Sequence, residues 1–202
     1  MYPEYVEVNG KQYKINTDFR VAIECNRIAD DTTIGNFERS LGIICTLFGN
    51  EAIDDINENF EVYEKLLNLA TKYILCENEP IKSKKKKKPD MDFIKDAGYI
   101  ASSFQYDYQY NPYEMEYCHW YKFYNDLNNL SNSEFGNCCI LNRVRNFRNL
   151  DVRKIKDEKA RQEAIELQKQ LALEKSEDKK GPTEKQKESA RELYKRLGLR
   201  RE

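Results

Sequence analysis

The stretch that decides the fold is residues 5–15, YVEVNGKQYKI. Asn9-Gly10 is a strong signal for a tight turn, because both residues accept the positive φ that a type I′ turn requires. A two-residue loop at this point pairs Val6 with Tyr13 on the opposite strand. Val6, Val8 and Tyr13 then share one face of a β-hairpin. Since an isolated hairpin is only marginally stable in water, the residues that follow must supply a surface that covers this face.

After the hairpin, apolar residues recur at i, i+3 and i+4, which predicts six helices before residue 150. The predicted helices begin at Thr17 or Asp18, Thr33, Glu58, Asp90 or Asp92, Asn111-Pro112 and Ser133; the second ends at Gly49-Asn50, the third at about Cys76 and the sixth at about Phe147. The predicted fold class is mainly α with a small N-terminal β-hairpin (α+β). It consists of a compact helical domain and a helical, partly exposed C-terminal tail.

Charge and aromatic content change near residue 150. Residues 1–149 carry 18 basic and 23 acidic side chains, whereas residues 150–202 carry 16 basic and 12 acidic ones and a single aromatic residue. The predicted division is therefore a domain at 1–150 and a charged helical tail at 151–202, broken at Gly181-Pro182. The tail has a thin apolar stripe, so we expect it to be marginally ordered alone. Five lysines at 84–88 predict a mobile, solvated loop at 80–89.

Composition also bears on location. No apolar run reaches 18 residues, so no transmembrane helix is predicted. The first ten residues lack the apolar core of a secretion signal. The six cysteines show no paired framework, which favours reduced thiols in a cytosol.

Residues 104–124 hold ten of the chain's 24 aromatic residues. Helical spacing places Trp120 and Phe123 in the core, and His119 lies beside them. Three tyrosines alternate with Gln and Asp, and in a strand or extended loop all three would lie on one side. A short loop cannot bury three such rings, so these are the candidate partner-binding residues: Tyr106, Tyr108 and Tyr110.

Catalytic, metal and nucleic-acid sites are not indicated. Cys118 and His119 are neighbours in sequence, but neighbouring residues on a helix point about 100° apart and do not form a dyad. The cysteines lack the Cys-x-x-Cys spacing of structural zinc sites. The five lysines belong to a net acidic region without interleaved aromatic residues, so nucleic-acid binding is not expected. We therefore expect no catalysis, no metal and no cofactor.

Two segments carry a family resemblance. The entry segment is Asn16-Thr17-Asp18-Phe19-Arg20, which follows the hairpin, and the His-Trp segment is His119-Trp120-Tyr121-Lys122-Phe123. With the elements between them, they resemble the "gene product fifteen" family of tailed phages and prophages of Gram-positive bacteria, over roughly residues 4–175. Tyr121 stands where the family often has a second tryptophan. The tyrosine-rich insert at 106–110 and the five lysines also depart from the family pattern.

The resemblance implies a role in tail assembly. Proteins of this type are similar to tail assembly chaperones, whose genes tend to lie between those of the major tail protein and the tape-measure protein. The implied role is to coat the tape-measure protein in the host bacterial cytoplasm, with helix-in-groove binding and self-association as the means. The alternative is a structural or connector component of the phage virion, which would use the same surfaces for permanent contacts.

Overall fold

The computed structural model describes residues 2–78, 89–132 and 138–173. These residues form a mainly α protein with an N-terminal two-stranded antiparallel hairpin, which confirms the predicted fold class. The strands are β1 (Tyr5–Val8) and β2 (Lys11–Lys14). The helices are α1 (Phe19–Asp30), α2 (Asn36–Phe48), α3 (Asn50–Glu58), α4 (Glu61–Ile74), α5 (Ala97–Tyr108), α6 (Trp120–Asn128), α7 (Ile140–Arg148) and α8 (Glu158–Leu171), with a 3-10 turn at Val152–Lys154.

The chain divides into two compact units. Within the described residues, the first unit comprises residues 2–78 and Cys118–Tyr121, and the second comprises residues 89–117, 122–132 and 138–173. The lysine run, the helix start at Ser133 and the break at Gly181-Pro182 lie outside the described residues. The domain boundary at residue 150 and the marginal order of the tail remain predictions.

The hairpin has the predicted register, with Val6 opposite Tyr13 and Val8 opposite Lys11. Asn9 adopts a φ of 53° and Gly10 a φ of 82°, as a type I′ turn requires. Val8 and Tyr13 are buried, and the Tyr13 hydroxyl donates to a carboxylate of α3 at 2.7 Å. The first unit therefore buries the apolar face of the hairpin. Apolar side chains of the helices complete this core: Phe19, Ala22, Cys25, Leu41, Ile44, Leu47, Leu66 and Ala70.

Helix boundaries in the first unit follow local capping chemistry. Asp18 caps α1, as predicted, by accepting from the amide of Arg20 at 2.9 Å. The predicted start of α2 at Thr33 is wrong, because the Thr33 amide and hydroxyl both bind the Asp31 carboxylate in a separate turn. Gly49, with a φ of 84°, ends α2 and immediately precedes α3, a helix that the apolar spacing did not predict.

Two predicted helix starts in the second unit are also wrong. Asp92 caps only a turn, since its carboxylate accepts from the amides of Ile94 and Lys95, and α5 begins later, at Ala97. Asn111-Pro112 begins a turn, and the next helix, α6, begins at Trp120. The described part of the sixth predicted helix starts at Ile140, after an N-cap at Cys139.

A buried ion pair holds the second unit together. Asp96, whose side chain is 1% exposed, binds the guanidinium of Arg148 through two hydrogen bonds of 2.7 and 2.8 Å. The same guanidinium donates to the carbonyl oxygens of Asp90 at 2.9 Å and of Leu171 at 2.7 Å. One arginine thus links the segment before α5 to the ends of α7 and α8.

Candidate functional site

The entry segment and the His-Trp segment are paired along their backbones in the first unit. The amide of Phe19 donates to the carbonyl of Cys118 at 2.9 Å, and the amide of Trp120 donates to the carbonyl of Thr17 at 2.8 Å. The Asp18 carboxylate, which caps α1, also accepts from the amide of Cys118 at 3.3 Å. The two segments that carry the family resemblance, about 100 residues apart in sequence, therefore form one local structure.

Trp120 lies at the centre of this structure, with only 1% of its surface exposed. Its indole N–H donates to the carbonyl of Ile74 at 3.1 Å, where α4 ends and carbonyl groups lack helical partners. The neighbouring ring of Tyr121 stacks on Tyr73 with 5.0 Å between ring centroids. The Tyr121 hydroxyl donates to Glu77 at 3.3 Å. The His-Trp segment thus caps and covers the end of α4.

His119 has both ring nitrogens next to backbone groups. Nδ1 accepts from the amide of Tyr121 at 3.0 Å, and Nε2 lies 3.4 Å from the carbonyl oxygen of Pro3, so the proton belongs on Nε2. Burial lowers the pKa of His119 below its usual value, in spite of the hydrogen bond to Pro3. The Cys118 thiol donates to the carbonyl oxygen of His119 at 3.9 Å.

The thiols with resolved pKa shifts favour the protonated form. Burial raises the pKa of Cys25 and of Cys76 to about 12, so neither is a thiolate at neutral pH. Cys25, Cys45, Cys76 and Cys139 are free thiols. Across the described ranges, no three His, Cys, Asp or Glu side chains lie together as metal ligands would, and no helix is long and apolar enough to cross a membrane.

The structure separates the three candidate tyrosines. Tyr106 and Tyr108 lie in α5, so the strand or extended loop predicted for them is wrong. Gln109, in the left-handed region with a φ of 61°, ends the helix before Tyr110. The Tyr108 hydroxyl donates to the Asp126 carbonyl at 2.9 Å. The hydroxyl of Tyr110 donates to the Asp126 carboxylate.

Tyr108 and Tyr110 are therefore half-buried side chains that pack on the second unit. Both rings meet Phe104 edge-on, with centroid distances of 5.7 and 5.6 Å. Lys122 lies over the Tyr110 ring, 4.5 Å from its centroid. Burial, and then the hydrogen bond to Asp126, raises the pKa of Tyr110 above its usual value. These contacts hold both rings against the second unit, whereas the Tyr106 ring is exposed.

Tyr106 is 66% exposed, the highest value among the exposed large hydrophobic side chains of the described residues. It borders an open concavity of about 600 Å³ on the second unit. Small and neutral polar side chains of α5 and the following turn line the rest, together with one carboxylate: Ala101, Ser102, Gln105, Gln109, Asn111 and Glu114. The partner-binding role of Tyr106, Tyr108 and Tyr110 stays a prediction; Tyr106 is the most exposed of the three, and the concavity adds residues that the sequence pattern did not single out.

A family model described as Bacteriophage Gp15 protein matches residues 2–173 of the chain. The chain belongs to this family. The match confirms the resemblance carried by the entry and His-Trp segments, and this Gp15 protein is therefore a phage protein. No curated protein and no solved structure matches it.

The matched region of this Gp15 protein contains both the backbone pair of the first unit and the concavity of the second. His119 and Trp120 hold the first unit together, and Phe123, which is fully buried, stacks on Phe104 at 5.3 Å in the second. Helical spacing was the signal for the burial of Trp120 and Phe123. The concavity had no comparable signal, because it depends on where α5 ends and how the turn after it returns.

Proposed function

We propose that this Gp15 protein is a non-catalytic tail assembly chaperone that binds the phage tape-measure protein in the host bacterial cytoplasm. Membership of the family supports a role in a phage, and the sequence resemblance extends it to tail assembly. The hydrogen-bonding of His119 supports a structural rather than a chemical role for this residue.

The observation that carries the proposal is the exposed ring of Tyr106 beside the concavity. Tyrosine is favoured at interfaces, because its ring supplies apolar area while its hydroxyl stays hydrated. The small side chains of Ala101 and Ser102 leave room for a partner to approach α5. The Gln105 amide offers hydrogen bonds beside the ring, and Gln109, whose Nε2 donates to the Tyr106 carbonyl at 3.1 Å, offers its amide oxygen. This arrangement suits one face of a partner helix with an apolar anchor residue.

Co-expression tests the proposal. The Gp15 protein and the tape-measure protein of the same phage should form a soluble complex that co-purifies. Tyr106→Ser should weaken that complex by at least about tenfold, because truncating a central aromatic residue removes a large part of the binding free energy. Tyr5→Ser is the matched control, since Tyr5 is 53% exposed and lies on the hairpin of the first unit. If the tape-measure protein stays insoluble and nothing co-purifies, the proposal fails.

Mass spectrometry of purified virions separates the chaperone from a structural component. A chaperone is released when tail-tube subunits replace it, so its peptides should be absent from mature particles. Stoichiometric amounts in the virion would instead support the structural or connector role and overturn the chaperone assignment.

A further inference from the structure

Three aromatic rings of the first unit form a partly exposed cluster. The ring of Tyr63 lies 5.2 Å from that of Phe37 and stacks on Phe60 at 5.2 Å with an interplanar angle of 17°. Phe60 is 49% exposed. Surface aromatic residues scattered singly are ordinary, but a cluster of rings is the type of feature that marks a protein–protein contact.

The chain around these rings is acidic. Residues 51–64, which span α3 and the start of α4, contain six acidic residues and no basic one. Lys11 binds Glu51 at 2.8 Å and Asp55 at 2.7 Å. The other four carboxylates make no ion pair with any residue that the structure describes. The rings and these carboxylates together are the acidic aromatic surface: Phe37, Phe60, Tyr63, Asp54, Glu58, Glu61 and Glu64.

The second unit carries a surface of opposite charge. Residues 143–156 contain six basic residues and one acidic residue. Arg145 binds Asp90, Arg148 binds Asp96 and Arg153 binds Asp151. The remaining three cations are exposed and form no ion pair within residues 2–78, 89–132 and 138–173: Arg143, Lys154 and Lys156.

Two leucines of the same unit supply exposed apolar area. Leu150 is 41% and Leu167 is 38% exposed. The side-chain amide of Gln168 donates to the carbonyl of Leu150 at 2.8 Å, so this turn of α8 lies beside Leu150. These two leucines and the three cations together are the basic apolar surface.

We propose that the acidic aromatic surface of one copy binds the basic apolar surface of a second copy. Each surface combines exposed apolar area with unpaired charge, and the charges have opposite signs. Contact between two copies of the same surface would instead oppose like charges, which is unfavourable. Because the two surfaces differ, the contact is head-to-tail and produces rings or open chains of copies rather than a symmetric dimer. This inference does not depend on binding of the tape-measure protein.

The test measures association of the purified full chain by sedimentation equilibrium. We expect species larger than a monomer at about 50 mM salt and weaker association at about 500 mM, because exposed charges are screened over shorter distances at higher salt. Phe60→Ser and Leu150→Ser should each lower the association constant by at least about tenfold. Tyr5→Ser, at a similarly exposed aromatic residue, should associate like the wild type. Thermal unfolding of each variant checks that its fold is intact.

Mixing the two variants gives the sharpest result. Phe60→Ser retains an intact basic apolar surface, and Leu150→Ser retains an intact acidic aromatic surface. A one-to-one mixture should therefore form a dimer and nothing larger, because only one intact pair of surfaces remains. If either serine variant unfolds, the double variants Glu61→Lys/Glu64→Lys and Lys154→Glu/Lys156→Glu replace them.

Three outcomes overturn the proposal. One is a wild-type chain that stays monomeric up to about 1 mM at low salt. Another is association that neither the serine variants nor the charge variants alter. The third is that Leu193→Ser/Leu197→Ser abolishes association while Leu150→Ser associates like the wild type. The acidic aromatic surface would then bind the C-terminal segment of the chain instead of the basic apolar surface.

Discussion

At the scale of single residues, Trp120 combines apolar burial with a hydrogen bond to the end of α4. Trp120→Ala should lower the free energy of unfolding by about 3–5 kcal/mol, because it removes a large buried side chain and leaves a cavity. Trp120→Phe should cost less, since it retains most of the apolar area and loses the N–H donor to Ile74. Urea unfolding measures both, and a value near zero for the alanine variant would place Trp120 outside the core.

The single histidine of the chain gives stability a dependence on pH. Burial holds the pKa of His119 in the folded chain below its usual value of 6.5. At a pH near these two pKa values, the unfolded chain therefore binds more protons than the folded one. The free energy of unfolding should therefore fall as pH decreases from about 7.5 to 5.5, and this group should contribute no change above about pH 7.5. His119→Gln should flatten that part of the curve. A slope that persists unchanged in this variant would show that other groups cause it.

The buried pair of Asp96 and Arg148 should be far more sensitive than an exposed one. Asp96→Ala leaves the guanidinium of Arg148 without its carboxylate inside the second unit, at an expected cost of about 3–5 kcal/mol. The exposed pair of Glu24 and Arg27 is the control, and Glu24→Ala should cost less than about 1 kcal/mol. Similar urea midpoints for the two variants would contradict the role given to Asp96.

At the scale of elements, α7 and α8 cap each other. The side-chain amide of Gln168 in α8 donates to the carbonyls of Phe147 at 2.9 Å and Leu150 at 2.8 Å, at the end of α7. In return, Arg148 of α7 donates to the carbonyl of Leu171 at the end of α8. The last carbonyls of a helix otherwise lack hydrogen-bond partners. These bonds therefore hold α8, which has a single buried residue, Ala164, against the end of α7.

Gln168→Ala should therefore loosen α8 selectively. Amide hydrogen exchange within Glu158–Leu171 should accelerate, while exchange in α5 should stay unchanged. Gln162→Ala is the matched control, since the Gln162 side chain donates to Glu158 within its own helix and to no described residue of another element. Equal acceleration in both variants would show that the bonds to α7 do not hold α8 in place.

Turn and capping residues in the sequence predict some elements correctly and fail to predict others. Asn9-Gly10 determines the hairpin register because few residue pairs accept two positive φ values. Asn111-Pro112 wrongly predicted a helix start. The local signal does not reveal that Cys118 pairs with Phe19 as extended chain, and α6 begins only after that pairing. α3 was missed because one glycine, Gly49, both ends α2 and precedes α3.

The candidate site was predictable only in part for a similar reason. Tyr106 and Tyr108 are both in α5, yet Tyr106 is exposed, whereas Tyr108 is half-buried and donates to the Asp126 carbonyl. Alternation along the sequence cannot distinguish them, because in a helix residues two apart point in different directions. The position of Tyr110 depends on the left-handed Gln109, and glutamine carries no clear signal for that conformation.

At the scale of the whole molecule, the first unit is not continuous in sequence, since Cys118–Tyr121 belongs to it. A fragment of residues 1–78 would lack Trp120 and the backbone partners of Thr17 and Phe19. We expect this fragment to show no cooperative thermal transition by circular dichroism, whereas the full chain does. A fragment that melts as sharply as the full chain, and at the same temperature, would show that the inserted segment is dispensable.

The pairing of Asp18 with His119 also sets an order of events during synthesis of the chain. N-terminal domains usually fold as soon as they leave the ribosome, at chain growth of about 5–20 residues per second. We expect completion of the first unit to wait for Cys118–Tyr121, which follows Asn78 by roughly 40 residues, a delay of about 2–9 s at that rate. Throughout that interval the end of α4 lacks its tryptophan cover, so the nascent chain exposes apolar surface to any chaperone of the host.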